Sequence, residues 1–125
     1  NDPPKGNVEN VFIIKYQGKF AGLIGFKGTD KINKRTEIGY WLSKFFQKKG
    51  IITQSLQVLC KFAFEEMDMN RIQIKVATGN IPSKKIPQRL NFKFEGIERE
   101  GEKMADGSFV DLEVYSLLRS EFEGQ

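Results

Sequence analysis

The 125-residue sequence contains no histidine and a single cysteine, Cys60. Without histidine there is no imidazole base, no imidazole metal ligand and no Ser-His-Asp arrangement. One cysteine excludes an internal disulfide and offers no metal framework. Long apolar runs are missing too: none approaches the roughly 18 to 20 residues that cross a bilayer. Asn1 to Asn7 hold no apolar signal core. The expectation is a cytoplasmic protein without a membrane partner. Its acid–base chemistry must rest on carboxylates, Tyr, Ser, Lys, Cys60 or water.

What is present suits one mixed α/β domain spanning 1–125. Twenty basic and 16 acidic residues give a mild net charge of +4. Lys27, Lys31, Lys34, Arg35, Lys44, Lys48 and Lys49 crowd the first half, and Glu95, Glu98, Glu100 and Glu102 cluster later. These are either solvated faces or a basic loop for an anionic cofactor and an acidic strand for a cationic substrate. Aromatic residues do not alternate with basic ones on any strand, so no direct nucleic-acid partner is expected.

Val11 to Tyr16 and Phe20 to Phe26 flank Gln17-Gly18-Lys19 as a β-hairpin, with a bulge expected near Gly22 or Gly25. Thr36 to Leu42, with Ile38, Tyr40 and Leu42 alternating, is a third strand. Leu56, Leu59, Cys60, Ala63, Phe64 and Met67 recur at helical spacing, which predicts a helix over 53–68 with Thr53 as N-cap. Cys60, Trp41 and most phenylalanines read as core, while Phe45 and Phe46 could wall a ligand tunnel. Arg71 to Ala77 is a strand and Asn80 to Leu90 a short helix that Pro87 should distort. Phe92 to Arg99 and Phe109 to Leu118 are strands joined by a turn at Met104 to Ser108. The order is β-β-β-α-β-α-β-β.

One unit carries chemistry. The strand ending at Leu42 leads through Phe45-Phe46-Gln47-Lys48-Lys49-Gly50-Ile51-Ile52-Thr53 into the helix. A helix N-terminus presents unpaired N–H groups and the positive end of its dipole. A glycine lets backbone approach a phosphate, and Lys48 and Lys49 add charge. The same pattern also describes an ordinary helix start with solvated lysines.

Gln47-x-x-Gly50-x-Ile52 resembles the Q/R-x-x-G-x-G/A coenzyme A motif of the GNAT superfamily. Ile38 to Leu42 with Gly50 to Leu56 is similar to its RimJ/RimL branch, which acetylates ribosomal-protein N-termini. Asn80-x-x-Ser83, Leu90-Asn91-Phe92, Glu95-Gly96, and Asp111 with Tyr115 to Leu118 follow in the branch's order. The resemblance runs from about Phe20 to Phe122. It implies a GNAT fold: a mixed central sheet with flanking helices, here apparently missing the N-terminal strand and helices that line the acceptor site. It implies acetyl-CoA as cofactor and an amine acceptor, a protein N-terminus or a small amine, and it leaves room for a homodimer. The chain departs from the pattern at Ile52, at Asn91 where glycine is usual, and at Pro87.

The resemblance also implies roles. Leu42, Gln47, Lys48, Lys49, Gly50, Ile51, Ile52, Thr53, Asn80 and Ser83 would hold the coenzyme. The backbone at Leu42 would face the thioester. Ser83 is a proton donor for the leaving thiolate or a helix cap, and Tyr115 is the alternative donor or a core aromatic. Glu102 would take the amine's proton through water, with Glu37 the alternative base. The implied function is acetyl transfer to a primary amine, most suitably a peptide α-amine. The alternative is an acyl-CoA-binding domain with little or no catalysis.

Overall fold

The computed structural model describes residues 8–47 and 50–124, so Lys48 and Lys49 lie outside the described residues. Strands β1 (Val8–Tyr16) and β2 (Lys19–Asp30) form the expected hairpin. Gln17 and Gly18 both take positive φ, 52° and 80°. That primed turn matches the right-handed twist of its strands. Ile14 pairs Gly22 and Lys15 pairs Phe20, so the bulge falls at Ala21, beside Gly22, while Gly25 pairs regularly. Gly22 faces Leu42 of β3 (Arg35–Leu42), and a Cβ there would collide with the Trp41 carbonyl.

A 3-10 turn at Lys44–Phe46 leads to α1 (Ile51–Glu65). The helix starts two residues before the expected Thr53, and Gly50, at φ 72°, is its N-cap. Ile51 and Ile52 are both buried, and that burial draws the first turn onto the core ahead of the polar Thr53. Next come β4 (Arg71–Ala77), α2 (Ile81–Arg89), β5 (Lys93–Lys103), β6 (Phe109–Leu118) and a short α3 (Arg119–Glu123), which local pattern did not predict. The Met104–Ser108 turn is as expected, closed by a Met104 N–H to Ser108 carbonyl bond of 2.7 Å.

The strand order is β1-β2-β3-β4-β6-β5. Only β3 and β4 run parallel, because α1 carries the chain back between them. A mixed sheet with flanking helices is what the GNAT resemblance implies. The helices share one face. Phe62 of α1 stacks on Phe26 with centroids 6.3 Å apart, Phe122 of α3 meets Phe64 at 5.2 Å, and Leu90 and Phe92 join the same buried cluster as Ile72 and Ile74.

The other face carries ion pairs, with apolar Val11, Ile13 and Trp41 toward its β1 edge. Lys27 pairs with Glu37, Arg71 with Glu95 and Lys75 with Glu98, at 3.2, 2.7 and 3.0 Å. This corrects two expectations. Glu98 is neutralised by Lys75, so the acidic cluster is less negative than its composition. Six of the eleven phenylalanines (Phe12, Phe20, Phe45, Phe62, Phe94 and Phe109) are exposed, Phe45 in the 3-10 turn, Phe62 on α1, and Phe12 and Phe94 on the edge strands β1 and β5. Trp41 is half-buried against Phe20, 6.1 Å away.

Pro87 does not break α2; the helix ends at Arg89. It closes with Phe92 N–H to the Pro87 carbonyl at 3.0 Å and Asn91 N–H to Gln88 at 3.2 Å. This paired closure needs a left-handed residue, and Asn91 sits at φ 63°. Asparagine where the branch carries glycine therefore preserves the turn.

Candidate active site

The site begins where two parallel strands part. β3 and β4 pair at Arg35–Arg71, Thr36–Ile72 and Glu37–Gln73, and no further. Strand parity says which backbone groups are left facing the gap. The Lys34 carbonyl accepts from the Asn70 and Arg71 N–H groups, whereas Ser43 N–H donates to Ala21 of β2 at 2.8 Å. Even-numbered β3 residues thus point toward β4 and odd-numbered ones toward β2. Past the split, Tyr40 and Leu42 aim their backbone N–H groups into the gap.

Both helix starts open at this end. The first backbone bond of α1 is Gln54 N–H to Gly50 carbonyl, 3.1 Å, and no side chain caps the helix. The N–H groups of Ile51, Ile52 and Thr53 precede that ladder and carry the dipole's positive end. Among the described residues, chain neighbours aside, nothing lies within 4 Å of where a Gly50 Cβ would be. The Gln47 amide donates to the Leu42 carbonyl at 3.3 Å, fastening the loop to the strand end. Phe45 and Phe46 instead border a groove with Tyr16 and Phe20; Phe46 meets Tyr16 at 5.9 Å.

Across the gap, the Asn80 side chain accepts the Ser83 N–H at 3.3 Å and caps α2. Ser83 is therefore the capped residue rather than the cap. Lys84 pairs with Glu113 at 2.6 Å, and Tyr115 donates to Glu113 at 2.7 Å while accepting from Gln88 at 3.4 Å. Burial first, then the Glu113 contact, raises the Tyr115 hydroxyl's pKa, whereas Lys84 and Tyr115 hold Glu113 below the usual carboxylate range. Tyr115 thus directs its proton at Glu113. Residue spacing alone could not show Glu113, because β6 enters the sheet out of chain order.

Glu37 is engaged on both carboxylate oxygens. It stands at the vertex of the split, with Lys27 on one oxygen and Gln73 donating to the other at 3.3 Å. Glu102 pairs with Val110 on the β5–β6 hairpin, beside Asp111, whose carbonyl takes the Thr78 N–H at 3.0 Å. That is the gap's end of the sheet, but β4 and β6 separate it from β3, about 14 Å at ordinary strand spacing. Cys60 is buried in α1 and its thiol is pushed up to about 12. Among the described residues no His/Cys/Asp/Glu group could hold a metal, and no helix is long and apolar enough to cross a membrane.

Strand N–H groups left unpaired at the gap and an uncapped helix start are donors suited to an anionic ligand with amide or carbonyl groups. The GNAT acetyltransferase domain model matches residues 2–93. The chain belongs to the GNAT acetyltransferase family. Over 112 residues, 90% of the chain, it is 43% identical to YdaF of Bacillus subtilis (strain 168), which carries the provisional name of a ribosomal N-acetyltransferase. It is 32% identical over 108 residues to the ribosomal-protein-serine acetyltransferase of Escherichia coli (strain K12), covering 86% of the chain and 60% of that protein. A solved structure of the ribosomal L7/L12 α-N-protein acetyltransferase RimL with coenzyme A superposes at TM-score 0.82 with 32% identity, over 89% of this chain and 62% of that one. The GNAT chain spans about three fifths of these relatives' length, 61% of YdaF. GNAT enzymes use acetyl-CoA, and the residues around the gap fit it: a glycine approach and an uncapped helix start for the pyrophosphate, and strand N–H groups for the pantetheine and thioester.

Proposed function

We propose that this chain is an acetyl-CoA-dependent N-acetyltransferase acting on a primary amine, and that the amine is the α-amino group of a protein such as a ribosomal protein. The observation that carries the reading is the gap after Glu37–Gln73, with Leu42 facing the uncapped start of α1 and the Asn80-capped start of α2. Acetyl-CoA supplies an activated acetyl thioester. The N–H groups of Ile51, Ile52 and Thr53, aided by Gly50 and the lysines Lys48 and Lys49, hold its pyrophosphate. Asn80 bonds the pantetheine amides. The Leu42 N–H stabilises charge developing on the carbonyl oxygen, a role typically worth about 10² to 10³ in rate. Ser83 protonates the departing thiolate; Tyr115 is disfavoured by its bond to Glu113. Glu102 receives the amine's proton through water.

An α-amine suits this machinery. Its reference pKa near 8, against about 10.4 for lysine, leaves more neutral nucleophile at pH 7. The relatives' names point the same way, and a cytoplasmic setting would place the chain beside such substrates. The test is a thermal shift with acetyl-CoA, followed by mass spectrometry of ribosomal-protein N-terminal peptides incubated with the chain. Stabilisation plus α-acetylated peptide supports the reading. Stabilisation without product would favour an acyl-CoA-binding domain. An unchanged melting temperature at millimolar acetyl-CoA would remove both.

A further inference from the structure

We propose that Tyr40 is a positioning residue that straps α2 across the gap, and that Pro87 is what makes the strap necessary. In an α-helix the Ser83 carbonyl would accept the N–H of residue 87, and proline has none. The Tyr40 hydroxyl donates to that carbonyl at 3.3 Å. Tyr40 stands on β3 beyond its last pair with β4, so the bond joins the two sides of the site where the backbone ladder has ended. The other side-chain anchors of α2 run to β6: Lys84 to Glu113 at 2.6 Å and Gln88 to Tyr115 at 3.4 Å. Without Tyr40, α2 stays tied to the β4–β6 side while its first turn, bearing Asn80 and Ser83, loses its tie to Leu42's strand. Burial raises the Tyr40 hydroxyl's pKa far above its ordinary value, so it remains a donor throughout the working pH range. A half-buried carbonyl stripped of its donor loses a hydrogen bond, whereas one supplied twice keeps one. The service to acetyl-CoA rests on the proposed function; the strap itself does not.

The experiment is a cycle of Tyr40→Phe, Pro87→Ala and the pair, read by melting temperature without ligand and by acetyl-CoA affinity. With Pro87 present, Tyr40→Phe should lower the melting temperature by about 4 °C. It should also raise the acetyl-CoA Kd roughly fivefold, the equivalent of one ordinary hydrogen bond. The Pro87→Ala background restores the helical N–H. There, the same tyrosine substitution should shift melting by about 1 °C and Kd by less than about twofold, because the carbonyl keeps a donor. Equal losses in both backgrounds, or none with Pro87, would overturn the strap. If the parent chain fails to bind acetyl-CoA, the proposed function and Tyr40's service to it fall together, and the ligand-free melting cycle alone decides the strap. A melting effect without a Kd effect would overturn the positioning role.

Discussion

The Gln47 side-chain amide donates to the carbonyl of Leu42, so the loop approaching α1 and the strand end bordering the gap hold each other. On the proposed function, Gln47 would fix the route along which Gly50 and Leu42 face the coenzyme. Gln47→Ala removes one hydrogen bond, worth about 1 kcal/mol, and should raise the acetyl-CoA Kd roughly fivefold. Gln47→Glu sets a carboxylate against both a carbonyl and the pyrophosphate and should weaken binding further. Isothermal titration of the three proteins checks the order.

Gly50 takes φ 72°, and among the described residues, chain neighbours aside, nothing lies within 4 Å of a Cβ there. A β-branched residue there is strained by about 1 to 2 kcal/mol and covers the helix start. Gly50→Val should lower the melting temperature of the ligand-free chain. It should also abolish most of the stabilisation by acetyl-CoA, about 2.7 kcal/mol at a hundredfold excess over Kd. A mutant that is merely strained would keep the ligand shift, so differential scanning fluorimetry with and without acetyl-CoA separates the two effects.

Glu95 accepts both Arg71 nitrogens, at 2.7 and 2.8 Å, and the Ser116 hydroxyl at 2.5 Å. Arg71 first and Ser116 second hold its carboxyl down at about 2. A folded-state pKa below the ordinary 4.5 means the contribution is present above that value and is lost as pH falls from about 4.5 to 2. Glu95→Gln should flatten the acid limb of the stability curve in that window. Its cost at pH 7 should be about 1 kcal/mol, since solvent screens a carboxylate that is 40% exposed. Urea unfolding from pH 2 to 7 measures both.

Periodicity carried much of this architecture. Ile38, Tyr40 and Leu42 alternate as a strand should, the Leu56 to Phe64 spacing is that of α1, and the turns at Gln17-Gly18 and Met104–Ser108 fall where turn residues cluster. Local pattern failed where the outcome depends on partners distant in sequence. Thr53 is an attractive cap until Ile51 and Ile52 are seen to be buried. Glu37 looks like an available carboxylate until Lys27 and Gln73 occupy it. Glu113 meets Lys84 only because the fold brings α2 to β6. Pro87 reads as a helix breaker until Tyr40 satisfies the carbonyl it orphans.

Asn91 offers a test of backbone rather than chemistry. At φ 63° it closes α2 and delivers Phe92 into the core. Asn91→Gly should be neutral or slightly stabilising, because glycine adopts this conformation without penalty. Asn91→Ala should cost about 1 kcal/mol and loosen α2's end, while leaving the acetyl-CoA Kd nearly unchanged, since Asn80 and Ser83 lie at the other end. Chemical denaturation with parallel ligand titration checks both statements.

The proton path separates by pH. With no histidine in the chain, the ammonium proton must leave to water or a carboxylate. Glu37 is held by Lys27 and Gln73, and Glu113 by Lys84 and Tyr115; the proposed destination is Glu102 on the β5–β6 hairpin, three strands from β3 and so reached only along a chain of waters. Glu102→Gln should lower kcat about 10²-fold below the amine's pKa and recover part of that at high pH, where neutral amine is abundant. Ser83 is proposed to act on the other reactant. Its N–H is bonded to Asn80 and its carbonyl to Tyr40, so replacing the hydroxyl leaves both backbone contacts in place. Ser83→Ala should therefore lower kcat at every pH while acetyl-CoA affinity stays within about twofold, because the lost group serves the leaving thiolate and not the ground state. A pH–rate profile for Glu102→Gln parallel to the parent's would exclude it as the proton's destination. The base would then be solvent at the mouth of the gap between β3 and β4, and Ser83→Ala would retain its pH-independent deficit.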